Sequence, residues 1–246
     1  TIFLPKLVVQ YDWSKDTTLA ISARKGYNAA GGALNFTAQE YYYFDEEEVN
    51  TFELSSRSVF ADGDAFLSAN IFYNDYSGYQ ALSSTRFIIN MDEVSTYGLE
   101  LELTANVSDD VEFKAGLGLL KTDIADAGVN YPDVEGNELN SAPAITANLG
   151  VKYWLTETFN IGFSANYVDE YYGDFTNTAE RVAGDYSLVR LYSSYEYNDW
   201  LVSAYINNAL DEDALLSIEP AGGRYPDGYK SIVDPRTMGV SVTYSF

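Results

Sequence analysis

The chain has 246 residues, with 14 Lys+Arg against 37 Asp+Glu, a formal charge of −23. Such an acidic surface argues against a nucleic-acid partner, because phosphate binding needs a basic face. Cysteine and histidine are both absent, which removes disulfides, thiolate or imidazole metal sites and any imidazole general base.

Hydrophobic residues make up 46%, the content of a folded chain rather than a disordered acidic one. Tyr dominates the aromatics with 22 copies, and its apolar body with a polar tip suits an interface between oil and water. No stretch approaches the roughly 18 uninterrupted apolar residues of a membrane helix. The start, Thr1-Ile2-Phe3-Leu4-Pro5, is neither a Met start nor a signal peptide, so the sequence reads as a mature product or a piece of something longer.

Taken in chain order, strands are predicted to begin near Leu7, Thr18, Asn50, Ala65, Ser95, Val111, Pro143, Thr158, Tyr186, Trp200 and Arg236, eleven in all. Strict alternation is the signal. Tyr97, Leu99, Leu101, Leu103 and Ala105 share one face, and Gly98, Glu100, Glu102, Thr104 and Asn106 the other. Ile145 to Tyr153 and Phe159 to Tyr167 repeat the pattern. The last strand places Met238, Val240, Val242, Tyr244 and Phe246 together against Thr237, Gly239, Ser241, Thr243 and Ser245. A period of two is that of a pleated strand, and helical spacing explains none of these runs.

The connections alternate in length. Tight turns are expected at 14–16, 62–64, 108–110, 155–157 and 198–199, and long loops at 28–48, 81–93, 124–140, 173–184 and 210–234. Short turns at one end and long loops at the other are the habit of an outer-membrane barrel, whose strands cross lipid with about 9–11 tilted residues. Tyr11, Tyr73, Tyr97, Tyr153, Tyr167, Tyr195 and Tyr244 tend to close the apolar runs, as an interfacial girdle requires. The competing fold is an ordinary antiparallel β protein with half-solvated sheets. The fold class expected is therefore an all-β transmembrane antiparallel barrel. Eleven is an odd number, and bacterial single-chain barrels have even counts. Either one strand escapes the pattern or part of a larger barrel lies elsewhere.

Several segments together resemble the TonB-dependent outer-membrane receptors. The terminal Pro235–Phe246 strand with its C-terminal aromatic, Tyr205-Ile206-Asn207-Asn208-Ala209-Leu210-Asp211, Tyr97-Gly98-Leu99-Glu100-Leu101-Glu102 and Ala142-Pro143 are similar to that family's late strands. Ala23-Arg24-Lys25-Gly26-Tyr27 with Gly31-Gly32, and Phe72-Tyr73-Asn74-Asp75-Tyr76, add to the likeness in the right order. The resemblance implies a barrel of roughly 22 strands, of which residues 1–246 form the C-terminal half. It also implies residence in the outer membrane of a Gram-negative bacterium, and import of a scarce solute of siderophore, cobalamin or oligosaccharide type. The plug domain is not in this sequence, so coupling to TonB falls to the N-terminal half. Implied partners are outer-membrane lipid, the barrel-assembly machinery, that N-terminal half and a small-molecule substrate. Tyr244 and Phe246 are implied to form the assembly signal. The alternatives are a passive porin-like channel, self-contained at about 12 strands, and a surface adhesin outside the membrane.

Candidate ligand contacts lie on or beside long loops. Tyr41, Tyr42, Tyr43, Tyr171 and Tyr172 are suited to stacking on a sugar ring or an aromatic chelator, or to forming the outer girdle. Arg181, Arg190, Arg224 and Lys230 are cations able to meet an anionic substrate or pair with nearby carboxylates. Asp211 and Asp213, like Asp45-Glu46-Glu47-Glu48, are weak calcium candidates without EF-hand spacing, and Asp211 has a turn role as its alternative. No other cofactor is expected. With no His and no Gly-x-Ser-x-Gly motif, an enzyme is not expected either.

Overall fold

The computed structural model describes residues 2–35, 39–83, 87–222 and 225–246. The first strands are β1 (Lys6–Asp12), β2 (Thr17–Asn28), β3 (Gly31–Asn35), β4 (Glu40–Phe44) and β5 (Glu47–Phe60). The longest follow: β6 (Ala65–Leu82), β7 (Ile88–Ser108) and β8 (Val111–Asp126). Then come β9 (Ile145–Thr156), β10 (Phe159–Val168), β11 (Tyr171–Tyr172), β12 (Val182–Ala183) and β13 (Tyr186–Tyr197). The chain ends with β14 (Trp200–Asn207), β15 (Leu215–Glu219), β16 (Tyr229–Ile232) and β17 (Thr237–Tyr244). Among the described residues no helix is long and apolar enough to cross a membrane.

Eleven of these strands form one antiparallel sheet in the order β1-β2-β5-β6-β7-β8-β9-β10-β13-β14-β17, each next to its neighbour in sequence. These are the eleven expected from alternation. The remaining six pair as three small hairpins within long connections: β3 with β4, β11 with β12, and β15 with β16.

Register turns the sequence pattern into two surfaces. Val9, Ile21, Leu54, Ile71, Leu99, Leu119 and Ile145 are successive cross-strand partners. One residue away, Ala20, Ser55, Asn70, Glu100, Gly118 and Thr146 form a parallel row on the opposite side. The apolar row is open to its surroundings: Ile21 is 62% and Ile71 55% exposed, and at the far edge Val240 is 71% exposed. Water would penalise so large a contiguous apolar face, whereas acyl chains solvate it. A second layer packed on Val240 and Val242 would have contradicted this arrangement; instead both are exposed.

Aromatic rings mark the two margins of the apolar band. Toward the short turns, Phe159 meets Tyr195 at 6.4 Å, Tyr195 stacks on Tyr197 at 6.4 Å and Trp200 meets Tyr244 at 4.7 Å. Toward the long loops, Tyr73 and Tyr97 pair at 6.5 Å. From Phe159 to Tyr167, β10 advances about 27 Å along its axis. Tilted by about 40°, that is close to the height of an outer-membrane apolar band.

The turns at the short end follow local chemistry. Asn198, at φ 50, opens a two-residue link to Asp199, the left-handed position that asparagine tolerates. Ala61, Asp62 and Gly63 all take positive φ, at 51°, 56° and 112°. One expectation is corrected. The loop anticipated over 81–93 is mostly strand, because β6 runs on to Leu82 and β7 starts at Ile88. These extensions rise beyond the apolar band, so neither face needs to be apolar and the period-two signal disappears.

Among the described residues, the buried hydrophobic cluster sits at the long-loop end. Met91, Val94 and Ile124 are fully buried beneath Val134, Leu139 and Phe175, which arrive from two long connections. The packed core therefore serves the loops. The wall is held by backbone ladders.

Candidate functional site

The long connections fold into a structured mouth. The 127–144 connection packs Tyr131 edge-on against Phe175 of the next loop at 6.1 Å. Asn177 locks the two together: its Oδ1 accepts from Glu138 N at 2.8 Å and its Nδ2 donates to Glu138 O at 2.9 Å. Asn137 Nδ2 donates to Phe175 O at 3.1 Å, and Ser141 N donates to Tyr172 O at 2.8 Å.

Arg181 carries the connection to a third loop. Its guanidinium donates to both carboxylate oxygens of Glu219, at 2.8 and 2.7 Å, and its Nε lies 3.1 Å from Asp174 Oδ2. Asp174 is buried and also accepts from Thr176 Oγ1, Thr178 N and Thr178 Oγ1. The hydrogen bond to Glu219 leads the causes that raise the Arg181 pKa, so its charge is permanent. Of the two options for Arg181, the geometry displays carboxylate pairing. Tyr171 adds a hook, its hydroxyl donating to Leu216 O at 2.8 Å, and burial pushes the phenol above its ordinary value. Tyr172 is half-buried beside it.

The β3–β4 hairpin divides its three tyrosines by alternation. Tyr42 turns toward the wall, its ring 5.0 Å from Phe87 and its hydroxyl accepting from Ile88 N at 3.1 Å. Tyr41 and Tyr43 stand away from it, 75% and 82% exposed. The hairpin base is clamped by Asn90 and Gln80, whose amides both donate to Asp45 O at 2.9 Å. Tyr41 and Tyr43 are thus the most accessible of the predicted aromatic contacts.

The acidic runs are engaged locally. Glu48 pairs with Lys25 at 2.7 Å and Glu47 accepts from Gln80 N at 2.7 Å. Asp211, at φ 60, holds Arg236 through its backbone N at 3.1 Å and its Nη2 at 2.9 Å, which is the turn role open to it from sequence. Asp213 is exposed. Among the described residues no group of three or more carboxylates is placed to hold a metal ion. Arg224 lies outside the described residues. Tyr244 and Phe246 sit at the free edge, with their rings 5.9 Å apart.

The polar face carries its own network. Thr51 donates to Asn74 at 2.8 Å and Asn74 to Thr96 at 3.0 Å, while Arg24 pairs with Glu53 and Asn70 reaches Glu100. Sequence reading missed the cation on the far wall, Lys152, whose Nζ lies 4.3 Å from the Trp154 ring centroid. The even-numbered positions of β9 were the signal for it, since Asn148, Gly150 and Lys152 share that face.

An apolar outer face between aromatic belts, a hydrophilic inner face and loops gathered at one end define the wall of a membrane β-barrel. The family model described as TonB-dependent receptor-like β-barrel matches residues 1–209, and the chain belongs to that family. Its members are receptors and transporters rather than enzymes. The probable TonB-dependent siderophore receptor PiuA of Acinetobacter baumannii is 27% identical over 172 residues, covering 66% of this chain and 23% of that protein. The crystal structure of the siderophore receptor PiuA from the same organism shares the fold, with a TM-score of 0.78 at 20% identity, over 96% of this chain and 35% of that one. The ferric yersiniabactin uptake receptor FyuA of Yersinia pestis aligns with a TM-score of 0.84 at 19% identity, over 98% and 37%. The chain spans less than half the length of each of these proteins.

Proposed function

We propose that this chain forms part of the wall and mouth of an outer-membrane receptor of a Gram-negative bacterium, which captures a scarce solute with its long loops and passes it inward. The observation that carries the reading is the pairing of an exposed apolar outer face with interlocked loops at the long-loop end. Residues 1–246 are read as the C-terminal portion of a barrel of roughly 22 strands. Supporting this over a self-contained barrel of about 12 strands, β1 pairs only with β2 and β17 only with β14 among the described residues. A free strand edge in hydrocarbon leaves backbone groups unsatisfied at several kcal/mol each, so further strands are required. The plug and the contact with TonB are assigned to the remainder of the receptor.

For the substrate, the names of the relatives favour a siderophore, since PiuA is described as a siderophore receptor and FyuA as a ferric yersiniabactin uptake receptor. Exposed Tyr41 and Tyr43 suit a ligand with a flat ring. Tyr244 and Phe246 are assigned to recognition by the assembly machinery. The test is deletion of the gene in its host under iron limitation, followed by uptake of labelled ferric chelates with and without TonB. Loss of uptake of at least one chelate, dependent on TonB, is expected. Unchanged uptake of every chelate would reject the siderophore reading, and passive ion conductance by the purified receptor would favour the porin.

A further inference from the structure

Lys152 on β9 and Arg190 on β13 share the polar face with the Arg24–Glu53 pair and with Glu112, the cross-strand neighbour of Lys152, whose carboxylate is taken by Lys114. Neither Lys152 nor Arg190 has a carboxylate within salt-bridge distance among the described residues. Both are held by rings instead. Lys152 lies 4.3 Å from the centroid of Trp154, and Arg190 is 5.8 Å from the centroids of both Tyr192 and Tyr205. A ring face holds a cation in place without neutralising it, so its charge stays available to an anion.

Register lays the group out as one shelf. Lys152 is opposite Gly162, Gly162 opposite Tyr192, Tyr192 opposite Tyr205, and Tyr205 opposite Gly239. The two glycines let the rings lie across the wall: a Cβ at Gly162 would fall 2.5 Å from Tyr192 Cζ, and one at Gly239 2.6 Å from Tyr205 Oη. Arg190 stands two residues from Tyr192, opposite Ser164. The backbones of Lys152 and Arg190 are thus two strands and two residues apart, roughly 12 Å from strand geometry.

Resting on the reading that this face lines a transport bore, we propose that Lys152 and Arg190, with Tyr192 and Tyr205, form a station inside the bore for planar anions, distinct from the loop contacts at the mouth. The cations take the anionic groups and the rings receive the conjugated plane. Elsewhere the strongly acidic chain repels anions, so the shelf concentrates them along one wall.

The test uses the full-length receptor in detergent micelles and 1,3,6,8-pyrenetetrasulfonate, a flat fluorescent polyanion, read by anisotropy. Saturable binding that weakens steeply with salt is expected. The double variant Lys152→Gln/Arg190→Gln is expected to lose roughly tenfold or more in affinity, Arg190→Lys to keep part of it, and Lys15→Gln, in the tight turn between β1 and β2, to leave it unchanged. Tyr192→Leu, which keeps both charges, is expected to weaken binding without altering its salt dependence. Heat-modifiable migration on gels verifies that each variant has folded. Absence of binding to the wild type, or equal binding by the double variant, overturns the station. Uptake by the wild-type receptor, measured separately, tells that outcome apart from failure of the receptor reading.

Discussion

Arg181 and Glu219, 38 positions apart, meet with both guanidinium Nη atoms on both carboxylate oxygens, at 2.8 and 2.7 Å, which makes two long loops move as one. Arg181 also faces the buried Asp174, so removing it strands that carboxylate without its cation. Arg181→Ala is expected to cost the mouth about 3 kcal/mol. Hydrogen exchange over 173–183 and 215–219 would rise correspondingly, while the ladder of β6 with β7 stays protected. Equal protection in the variant would mean that Arg181 is not the pin.

The pH behaviour of this mouth follows from Tyr171 and Arg181. Both pKa values are raised in the folded state, Tyr171 chiefly by burial and Arg181 chiefly by its hydrogen bond with Glu219. A group with a raised folded value contributes stability that is complete below its unfolded value and is lost as pH rises through the folded one. The ordinary value is 10.0 for tyrosine, and that of arginine lies well above it. Loop protection by these two groups is therefore expected to hold from neutral pH to pH 10.0 and to decline above it, with the Tyr171 hook failing first. Exchange measured at stepped alkaline pH, in wild type and Tyr171→Phe, checks the order.

Asn208 follows β14 at φ 46, and its buried amide makes three hydrogen bonds: Nδ2 donates to Glu212 O and Asp234 O, and Oδ1 accepts from Glu212 N. Asn208→Ala removes all three and places a β-carbon in a left-handed conformation that asparagine tolerates better. A loss of about 2–3 kcal/mol in the 208–236 connection is expected. Limited proteolysis of folded receptor checks it, with faster cleavage in that connection as the expected result.

Gly98 is required by close approach. A β-carbon there would collide with the carbonyl oxygen of Leu119 on the neighbouring strand, and with the Phe72 ring at 2.8 Å. Backbone does not move aside as a flexible side chain would, so Gly98→Ala is expected to destabilise the pairing of β7 with β8 by about 1–3 kcal/mol. A lower temperature for loss of heat-modifiable gel mobility checks it. Gly63, with nothing within 4 Å and φ 112, serves as the contrast, since its substitution strains backbone without a clash.

The wall was largely legible in the sequence because lipid imposes a period of two wherever a strand crosses it. Leu99, Leu101 and Leu103 had to share a face, and register with Ile71, Ala69 and Leu67 bears this out. Above the lipid that constraint lapses. The strand through Asn90, Asp92 and Glu93 consequently carries no alternation that would mark it as strand. The mouth was legible only as residue types. Alternation separates Tyr42 from Tyr41 and Tyr43, but its partner Ile88 is 46 positions away, and no local pattern announces that contact. Of the two carboxylates on Arg181, Asp174 belongs to the same loop but Glu219 is supplied by another segment, so that pairing emerged only with the fold.

The central claim is that the odd-numbered face of β7 meets acyl chains and the even-numbered face meets water. The chain has no cysteine, so a single introduced cysteine carries a spin label without a background. Labels placed in turn from 97 to 105 in receptor reconstituted in bilayers report accessibility to oxygen, which partitions into lipid, and to a water-soluble nickel chelate. Oxygen accessibility is predicted to peak at 99, 101 and 103, with nickel accessibility out of phase at 100 and 102. A scan with no period of two, or with the odd positions shielded from both reagents, would contradict a lipid-facing wall.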